Sequence, residues 1–491
     1  MSDSILHLQP ELIWKYFHEI SQIPRCSKDE SAVSAYLISV ADAFGLDYTR
    51  DEVGNVIIRK PCTPGKENTP TLVLQAHMDM VCEKNSDKVH DFTKDPIQFV
   101  IKDDWLYADE TTLGADNGIG VATMLAIIED KELVHGPLEF LITVDEETGM
   151  TGAFGLKGDL LQGRMIINLD SEEEGTVYIG CAGGGDTKYA LPVTRVPASE
   201  LAGFTPLMLK AHGLKGGHSG VDILEGRANA NKCLIRAINS GVADLPAYHI
   251  ASYDGGSKRN AIPREAESMV LVPTDMKDTF IKAAQEEANN ILHEFKPIDP
   301  NFTLDIQETG VSSPESVVDH TTSIKIIQLL NTIPNGVLAM SLDIPDLVET
   351  STNMAVINLE ESHLRVWLST RSSIKSALEW GRSIHSSVAL LAGSEIFNGE
   401  SYPGWKPDLD SKLLKIVSDT HNELFGEEPE KKAIHAGLEC GLIKEVFPGM
   451  DAVSIGPQIE NPHSPTERVN IPSVGKFYRH VAATLARIAG E

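Results

Sequence analysis

The chain of 491 residues has 42% hydrophobic and 23% charged residues, values typical of globular proteins, and its length predicts two or more domains. Its 71 acidic and 42 basic side chains give a net charge of −29, which disfavours nucleic acid as a partner because a polyanion is repelled. The sequence has neither an apolar run of membrane-spanning length nor the pattern of a secretory signal, so we predict a cytoplasmic protein with no membrane partner. The six cysteines form no Cys-x-x-Cys pair, which predicts reduced thiols.

The first predicted elements are two helices within residues 11–46, with a proline-containing break between them. Short apolar strands are predicted next, over residues 55–60, 71–77, 138–145, 165–170 and 451–456. Their nearly continuous apolar character is typical of strands that are buried on both faces of a mainly parallel sheet. Residues 118–130 predict a helix between two of these strands, so we expect an α/β fold here.

From about residue 187 the pattern changes to strands and long amphipathic helices in the order β-α-β-β-α-β, and a similar order recurs over about 320–398. We interpret 187–398 as an inserted α+β domain, for which a doubled split-βαβ unit is one interpretation. The first domain is then discontinuous, comprising residues 1–186 and 399–491.

His77 and Asp79 end the predicted strand 71–77. They share one face because residues two apart in a strand point the same way. An aspartate behind a histidine can orient that histidine as a metal ligand. The tripeptide alone is weak evidence, since polar groups at a strand end are common.

Further acids and a histidine follow other predicted elements. Asp116 lies between glycines just before a helix, where an N-cap is an equal alternative to a metal ligand. Three adjacent acids, residues 145–147, end the strand 138–145 and repel each other unless a cation, a proton or solvent intervenes. Asp170 ends the strand 165–170, and His463 lies in a proline-rich loop after the strand 451–456.

Taken together, four apolar strands that end in or lead to His, Asp or Glu predict a site, because ligands in an open α/β sheet gather at the carboxyl ends of strands. Nitrogen and oxygen donors of this kind suit zinc, cobalt or manganese. Two divalent ions carry four positive charges, against three negative charges from Asp116, Glu147 and Asp170. With a bridging hydroxide the charges balance, which favours two metal ions over one.

Five motifs in this order resemble the two-zinc aminoacylase/carboxypeptidase G metallopeptidase family: "HMD", "GADNG", "DEETGMTGA", "NLDSEEEG" and "HSPTERV". The segments "AHGLKGGHSGVDI", "GGSKRNAIPRE", "YPGWKPD" and "IHAGLECGL" extend the similarity over nearly the whole chain, to the bacterial aminoacyl-histidine dipeptidases of that family. The resemblance implies a two-zinc peptidase domain with an inserted lid domain. It also implies hydrolysis of dipeptides, Xaa-His dipeptides (including the β-alanyl-histidine type) in particular.

The resemblance also implies a ligand set for two divalent metal ions, with zinc expected first and cobalt or manganese as alternatives. Asp116 would bridge the two ions. His77 and Asp170 would complete one site, and Glu147 and His463 would complete the other.

Other roles are likewise implied by the resemblance. Asp79 would orient His77, and Glu146 would be the general base for a metal-activated water without being a ligand. The family pattern also places a cis peptide bond between Asp116 and Asn117.

In the inserted domain, His218 of "GGHSG" matches the family's transition-state histidine. Asn260 and Arg371 match positions that bind the carboxylate end of the substrate, for which an arginine supplies a bidentate fork. As bare sequence, these residues are equally well a loop histidine, a turn asparagine and a surface arginine. The insert is longer than a minimal dimerising lid of this family, which leaves a homodimer open.

Three alternatives remain at this stage. The same metal ligands would serve an aminoacylase, a tripeptidase or a carboxypeptidase, although the motifs of the insert favour a dipeptidase with a small peptide substrate. A non-catalytic peptide- or metal-binding protein is the second alternative, but a storage site does not need Glu146. Nucleic-acid binding is disfavoured by the net charge.

Overall fold

A computed structural model of the chain describes residues 5–308 and 314–490. The chain divides into two compact units. Unit 1 comprises Met1–Gly180, Pro407–Ala433 and Leu438–Glu491, and unit 2 comprises Cys181–Lys406 and Ile434–Gly437. The functional division at residues 187 and 398 stays a prediction. In the described part of the chain, no helix has the length and apolar character needed to cross a bilayer.

The α-helices of the described residues are α1 (Glu11–Ser21), α2 (Ser31–Ala43), α3 (Ala115–Glu129), α4 (Glu146–Gly149), α5 (Thr151–Gly155), α6 (Ala230–Val242), α7 (Lys277–Phe295), α8 (His320–Thr332), α9 (Lys375–Ala392), α10 (Lys412–Phe425), α11 (Glu439–Val446) and α12 (Ile471–Gly490). The two helices predicted within 11–46 are confirmed as α1 and α2, and the helix predicted over 118–130 lies within α3.

The strands are β1 (Asp47–Arg50), β2 (Val56–Lys60), β3 (Leu72–His77), β4 (Phe99–Lys102), β5 (Trp105–Ala108), β6 (Leu138–Thr143), β7 (Met165–Asn168), β8 (Thr176–Cys181), β9 (Gly183–Pro192), β10 (Arg195–Pro197), β11 (Phe204–His212), β12 (Gly217–His218), β13 (His249–Gly255), β14 (Ala261–Ile262), β15 (Ala266–Pro273), β16 (Thr303–Glu308), β17 (Ser316–Val318), β18 (Gly336–Met340), β19 (Val348–Leu359), β20 (His363–Ser372), β21 (Glu395–Tyr402), β22 (Glu430–Ile434), β23 (Asp451–Ser454), β24 (Ile459–Glu460) and β25 (Arg468–Asn470).

The large sheet of unit 1 has eight strands in the order β1-β2-β6-β3-β7-β23-β8-β22. Its central strands β6, β3, β7 and β23 run parallel, whereas β1, β2 and β8 pair antiparallel with their neighbours. The predicted α/β fold with a large sheet built on parallel strands is confirmed. The strand predicted over 55–60, which is β2, runs antiparallel to β6 and therefore does not bring its carboxyl end to the predicted site.

Burial explains why these strands carry few polar residues before their ends. Every residue of β3 and β6 is buried, as expected for strands covered on both faces. Helix α3 is apolar or small on all sides and almost completely buried, and it packs against β3, while α10 packs against β23. The parallel strands thus form a rigid platform whose carboxyl ends hold the polar groups.

Unit 2 contains a sheet with the strand order β16-β11-β15-β13-β19-β20-β9-β21, to which β18 adds beside β19. One repeat is β11-α6-β13-β15-α7-β16, and the other is β9-α8-β19-β20-α9-β21. In both repeats the strands lie in the sheet in the order fourth, first, third, second. The second strands β13 and β19 pair antiparallel and join the two repeats into one sheet. The strand order therefore has the form of a doubled split-βαβ unit.

One detail of the predicted duplication is wrong. The recurrence was predicted over about 320–398, but its first strand, β9, lies at Gly183–Pro192, before the other repeat begins. The complete repeat β11–β16 is thus inserted after β9, the first strand of the other repeat. The local sequence pattern does not reveal this arrangement, because the two parts of the interrupted repeat are separated by more than a hundred residues.

The prediction of reduced thiols is also wrong for two of the six cysteines. Cys26 and Cys82 are joined by a disulfide, while Cys62, Cys181, Cys233 and Cys440 are free. The two partners are 56 residues apart in sequence, so spacing did not reveal them. They meet because the segment around Cys26 lies beside the segment after β3, with a parallel bridge between Cys26 and Met80.

Reduction of this disulfide is expected to lower the free energy of unfolding by about 2–4 kcal/mol, because a cross-link over a loop of this length restricts the unfolded chain. The midpoint of chemical unfolding, measured with and without a dithiol reductant, tests this. A Cys26→Ser/Cys82→Ser variant is the control and should not respond to the reductant. Equal midpoints for the native protein in both conditions would contradict the prediction.

Candidate functional site

The carboxyl ends of three parallel strands meet at one edge of the unit 1 sheet. His77 is the last residue of β3 and pairs with Thr143, the last residue of β6. The acids at residues 145–147 follow β6, and Asp170 follows β7, which pairs with β3 on its other side. The predicted convergence of these strand ends is therefore present.

His77 lies between two carboxylates. Its Nε2 is 3.1 Å from Asp116 Oδ1 and 3.2 Å from Asp170 Oδ1. The His77 side chain is 1% exposed, and the carboxylates are almost as deeply buried. One atom of each residue lies within 4.8 Å of the others, a spacing that fits a shared metal ion.

A second group shares Asp116 with the first. Nε2 of His463 is 3.1 Å from Asp116 Oδ2 and 2.9 Å from Glu147 Oε2. The ligand atoms of these three residues also lie within 4.8 Å of one another. Asp116 thus offers one oxygen to each group, as expected for a carboxylate shared by two ions.

Electrostatics of the bare side chains reflect this crowding of acids. Hydrogen bonds that the His463 ring donates to the carboxylates of Asp116 and Glu147 raise the pKa of His463 to about 11. Burial opposes the charge on His77, but Asp170 and Asp116 together raise its pKa well above the ordinary value. Burial raises the pKa of Asp170 to about 6, with a smaller contribution from Asp116. The carboxylates therefore compete for too few positive charges, a condition that bound cations relieve.

Glu147 Oε1 is buried and has no hydrogen-bond partner among the described residues. Buried carboxylate oxygens are normally hydrogen-bonded. This unpartnered oxygen, in a residue of the second group, fits the coordination of a metal ion. The set of imidazole and carboxylate donors suits zinc, cobalt or manganese.

Asp79 has a wider structural role than the sequence predicted. One of its oxygens, Oδ1, is 3.3 Å from His77 Nδ1 and accepts the N–H of Glu146 at 3.1 Å. The other, Oδ2, accepts the N–H of Glu147 and the hydroxyl of Ser27. Burial alone would raise the pKa of Asp79, but these hydrogen bonds lower it. Asp79 therefore couples the orientation of His77 to the turn that carries Glu146 and Glu147.

Glu146 begins the short helix α4 beside the two groups but belongs to neither. Burial, Asp170, Glu439 and Glu147 raise its pKa well above the ordinary value, although His77 opposes the shift. Bound cations would offset these like charges and favour the ionised carboxylate that a base requires. This position is what the sequence predicted for a residue that acts next to the metal ligands.

The N-cap alternative for Asp116 is wrong. The cap position of α3 is Gly114, with no side-chain cap, while the Asp116 carboxylate faces His77 and His463. The Asp116–Asn117 peptide bond is cis, as the sequence resemblance implied. Gly114 has φ +67°, and a Cβ there would lie 2.5 Å from the Arg25 guanidinium, so this loop requires glycine.

The segment before α3 is held by Glu467, which the sequence analysis missed. Its buried carboxylate accepts four backbone N–H groups, from Leu113, Gly114, Ala115 and Asp116, at 2.7–3.3 Å. Glu467 stands four residues after His463, so one loop supplies both a metal-ligand candidate and the anchor of the shared carboxylate. The motif "HSPTERV" contained this signal, but nothing in the sequence identified the distant N–H groups.

Arg25 clamps the same region from the other side. Its fully buried guanidinium donates to the carbonyl oxygens of Met78 and Asp79, at 3.2 and 3.0 Å, and to that of Gly114 at 2.5 Å. It thereby links the loop after β3 to the loop before α3. Cys26 is the next residue, so its disulfide with Cys82 restrains the segment that carries Arg25.

A buried polar row lies beneath the site, across the parallel strands. The Glu439 carboxylate accepts from Gln75 of β3 at 2.6 Å and from Thr143 of β6 at 2.7 Å. Gln75 in turn accepts from Asn168 of β7 at 2.5 Å. Gln75 lies two residues before the end of β3, and Thr143 and Asn168 are the last residues of β6 and β7. The row therefore holds in register the strand ends that lead to the candidate ligands. Glu439 is the glutamate of the segment "IHAGLECGL".

In unit 2, His218 ends β12 and pairs with Ala261 of β14. Its Nδ1 accepts the N–H groups of Gly220 and Val221, at 3.3 and 3.1 Å. Burial and the Arg371 guanidinium lower the pKa of His218 to about 4. The ring is therefore neutral at pH 7, and the occupied Nδ1 assigns its proton to Nε2.

Arg371 and Asn260 lie in the same unit. Arg371 of β20 is only 8% exposed, and its Nη2 is 3.5 Å from His218 Nε2. Asn260 is exposed, and its carbonyl oxygen accepts the N–H of Ser219. Asn260 and Arg371 line one open cavity of about 560 Å³, so the structure brings these two predicted residues together. Arg371 is not the surface arginine of the alternative interpretation.

Comparison with known proteins gives full-length matches. The profile of peptidase family M20/M25/M40 matches residues 73–487. The chain is 43% identical over 486 residues to the cytosol non-specific dipeptidase of Escherichia coli (strain K12), covering 99% of each sequence. The crystal structure of aminoacylhistidine dipeptidase from Vibrio alginolyticus is similar with a TM-score of 0.90 and 44% identity, again over 99% of both chains.

A more distant similarity concerns the fold alone. The crystal structure of aminopeptidase PepT from Bacillus cereus has a TM-score of 0.57 at 17% identity, over 98% of this chain and 99% of that chain. The architecture is thus shared more widely than the sequence.

Proposed function

Since the chain belongs to peptidase family M20/M25/M40, we propose that it is a metal-dependent dipeptidase with Xaa-His dipeptides among its substrates. Family membership agrees with the predicted hydrolase acting on peptide bonds. The observation that carries the proposal is the pair of histidine–carboxylate groups that share Asp116. Two full-length relatives with 43–44% identity are named as dipeptidases, which favours this activity over that of an aminoacylase.

The proposed cofactors are two divalent ions, with zinc first and cobalt or manganese as alternatives. His77, Asp116 and Asp170 would hold one ion, and Asp116, Glu147 and His463 the other. When bound, such ions polarise a carbonyl and lower the pKa of a coordinated water. The unpartnered Oε1 of Glu147 supports this assignment.

Glu146 is the general base in this proposal. Its carboxylate takes a proton from the attacking water and passes it to the leaving amine of the broken peptide bond. The N–H groups of Glu146 and Glu147 are fixed by Asp79, so the base and the neighbouring ligand move as one. Asp79 is therefore a positioning residue for this step as well as for His77.

Residues of unit 2 are proposed to bind the substrate. Neutral His218 carries its hydrogen on Nε2 and can donate a hydrogen bond to the carbonyl oxygen as negative charge develops there. Arg371 and Asn260 would bind the free carboxylate, for which the buried guanidinium supplies the charge. A homodimer stays a prediction, which sedimentation of the purified protein measures.

A cytoplasmic location is supported by the word cytosol in the name of the Escherichia coli relative. The Cys26–Cys82 disulfide argues against this location, because the cytoplasm keeps most thiols reduced.

A substrate panel tests the proposed activity. Metal-stripped protein, reconstituted with zinc, cobalt or manganese, is expected to hydrolyse Xaa-His dipeptides faster than tripeptides and N-acyl amino acids, and to be inactive without added metal. Magnesium serves as the control, because it prefers oxygen ligands to imidazole. A preference for N-acyl amino acids would move the assignment to an aminoacylase, and full activity in the metal-stripped protein would refute it.

A further inference from the structure

Arg371 carries an unusual buried charge. Its Nη1 donates to the Tyr402 hydroxyl at 3.1 Å, its Nε has no partner, and no carboxylate forms an ion pair with it in the described part of unit 2. A buried guanidinium without a counter-ion is unfavourable unless an anion is bound there. The surroundings of Arg371 therefore have the character of an anion site.

Tyr402 reaches Arg371 across a glycine. Gly184 of β9 pairs with Tyr402 of β21 on one side and with Arg371 of β20 on the other. A Cβ at Gly184 would lie 2.7 Å from the Tyr402 hydroxyl oxygen. The missing side chain thus makes room for the tyrosine ring to lie over β9 with its hydroxyl at the guanidinium.

The Tyr402 hydroxyl has an unused hydrogen. It accepts one hydrogen bond, from Arg371, and its own O–H has no acceptor among the residues that the structure describes. Burial raises the pKa of Tyr402, so the hydroxyl stays protonated at neutral pH. It is therefore available as a donor.

A third donor points to the same place. His218 Nδ1 is occupied by backbone N–H groups, so its Nε2 carries hydrogen, and this atom is 3.5 Å from Arg371 Nη2. Two donors at this distance do not bond to each other. Arg371 and Tyr402 thus direct donors at a position that lacks an acceptor, and the Nε2–H of His218, which is proposed to bind the substrate carbonyl, lies beside it.

The cavity beside these donors is large enough for part of a small peptide. It measures about 560 Å³ and is lined by Gly184, Asn260, Trp367, Ser369, Arg371 and Tyr402, among others. Trp367, Ser369 and Arg371 alternate along β20 and so share one face of the sheet. The anion that reaches Arg371 from this cavity would pass the Tyr402 hydroxyl.

We propose that Tyr402 is a specificity-determining residue. Its hydroxyl donates a hydrogen bond to the free carboxylate of the substrate and, by accepting a hydrogen bond from Arg371, orients the guanidinium toward the same carboxylate. The inference rests on the proposed dipeptidase function. A substrate with a C-terminal amide cannot make the charged hydrogen bond with Tyr402 in full, because the amide lacks the negative charge. Tyr402 therefore contributes to the choice of free dipeptides over longer or blocked peptides.

The test compares L-alanyl-L-histidine with its C-terminal amide. In the Tyr402→Phe variant of the metal-loaded protein, KM for the dipeptide should rise about 10- to 100-fold, as expected for a lost hydrogen bond to a charged group. The kcat value should change by less than about threefold, and kcat/KM for the amide should change little. The preference for the free carboxylate then falls about 10- to 100-fold.

Two further variants make the result specific. Tyr253→Phe removes another buried tyrosine hydroxyl of unit 2, bonded to Asn231 O at 3.1 Å, and should leave the preference unchanged. Gly184→Ala keeps the Tyr402 hydroxyl but displaces the ring, and should reproduce the loss of preference. It also provides an independent test if Tyr402→Phe folds poorly, which the thermal unfolding midpoint reports.

The outcomes separate the two levels of the proposal. A wild-type protein that hydrolyses no dipeptide refutes the proposed function. A wild-type protein that hydrolyses dipeptides, with Tyr402→Phe showing an unchanged preference or an equal loss for dipeptide and amide, overturns the role of Tyr402 alone.

Discussion

The Glu146→Gln variant is expected to lose activity by about 10²- to 10⁴-fold in kcat, the range for removal of a general base, while keeping its metal ions. Glutamine preserves the size of the side chain but cannot take a proton from water. Glu146 lies beside the two histidine–carboxylate groups and is a member of neither. Its backbone N–H still bonds to Asp79 in the variant, so the neighbouring Glu147 stays in place.

Two measurements check this prediction together: steady-state hydrolysis of an Xaa-His dipeptide, and metal content after dialysis. Glu174→Gln is the matched control, since Glu174 is an exposed acid after another strand of unit 1 and pairs with Lys476. It should match the native protein in both measurements. Joint loss of metal and activity in Glu146→Gln would instead identify Glu146 as a ligand.

The candidate ligands could be predicted because they follow strands whose character is plain in the sequence. The segments that became β3, β6 and β7 are mainly apolar, with Gln75 and Glu139 as internal exceptions, and each leads to His or acidic residues. Parallel pairing puts such ends at one edge, and the observed registers agree. The local sequence pattern and the tertiary arrangement of the strands agree here, so the convergence of these residues is predictable from the sequence.

The supports of the site could not be predicted, because their partners are distant in sequence. Glu467 bonds to N–H groups more than 350 residues earlier, and Arg25 bonds to carbonyl oxygens 53–89 residues later. A glutamate is written the same way in a sequence whether its carboxylate is buried or exposed. Its burial depends on tertiary packing, and the backbone N–H groups that it binds cannot be identified from residue types.

Tyr402 was missed for a related reason. The segment "SYPGWKPDLD" follows the predicted insert 187–398 and has the proline and glycine content of a linker, so its sequence does not predict a strand. In the structure its first residues complete β21, whose pairing with β9 carries Tyr402 toward Arg371. The contact between Tyr402 and Arg371 depends on β9, β20 and β21, three strands of one repeat. The first of these, β9, lies outside the range of about 320–398 that was predicted for this repeat.

The Asp116→Asn variant is expected to lose both metal ions together and to lose activity by about 10⁴-fold or more, because water without a metal ion has a pKa near 15.7 instead of about 7. Asparagine keeps the shape of the side chain, but its single oxygen can accept a hydrogen bond from only one of His77 and His463. It removes the one negative charge that both groups share. Burial opposes the charge on Asp116, but His463 and His77 lower its pKa, so the native carboxylate is ionised at neutral pH.

Asp170→Asn is the graded comparison for this prediction. Asp170 belongs only to the group that contains His77, so its variant should weaken one ion and leave the other near its native affinity. Calorimetric titration of metal-stripped protein with zinc gives the number of sites and the affinity of each. If Asp116→Asn binds one ion with native affinity, Asp116 is not shared, and the two groups must be assigned to separate roles. Loss of both sites in Asp116→Asn, against loss of one in Asp170→Asn, is the result that a bridging carboxylate requires.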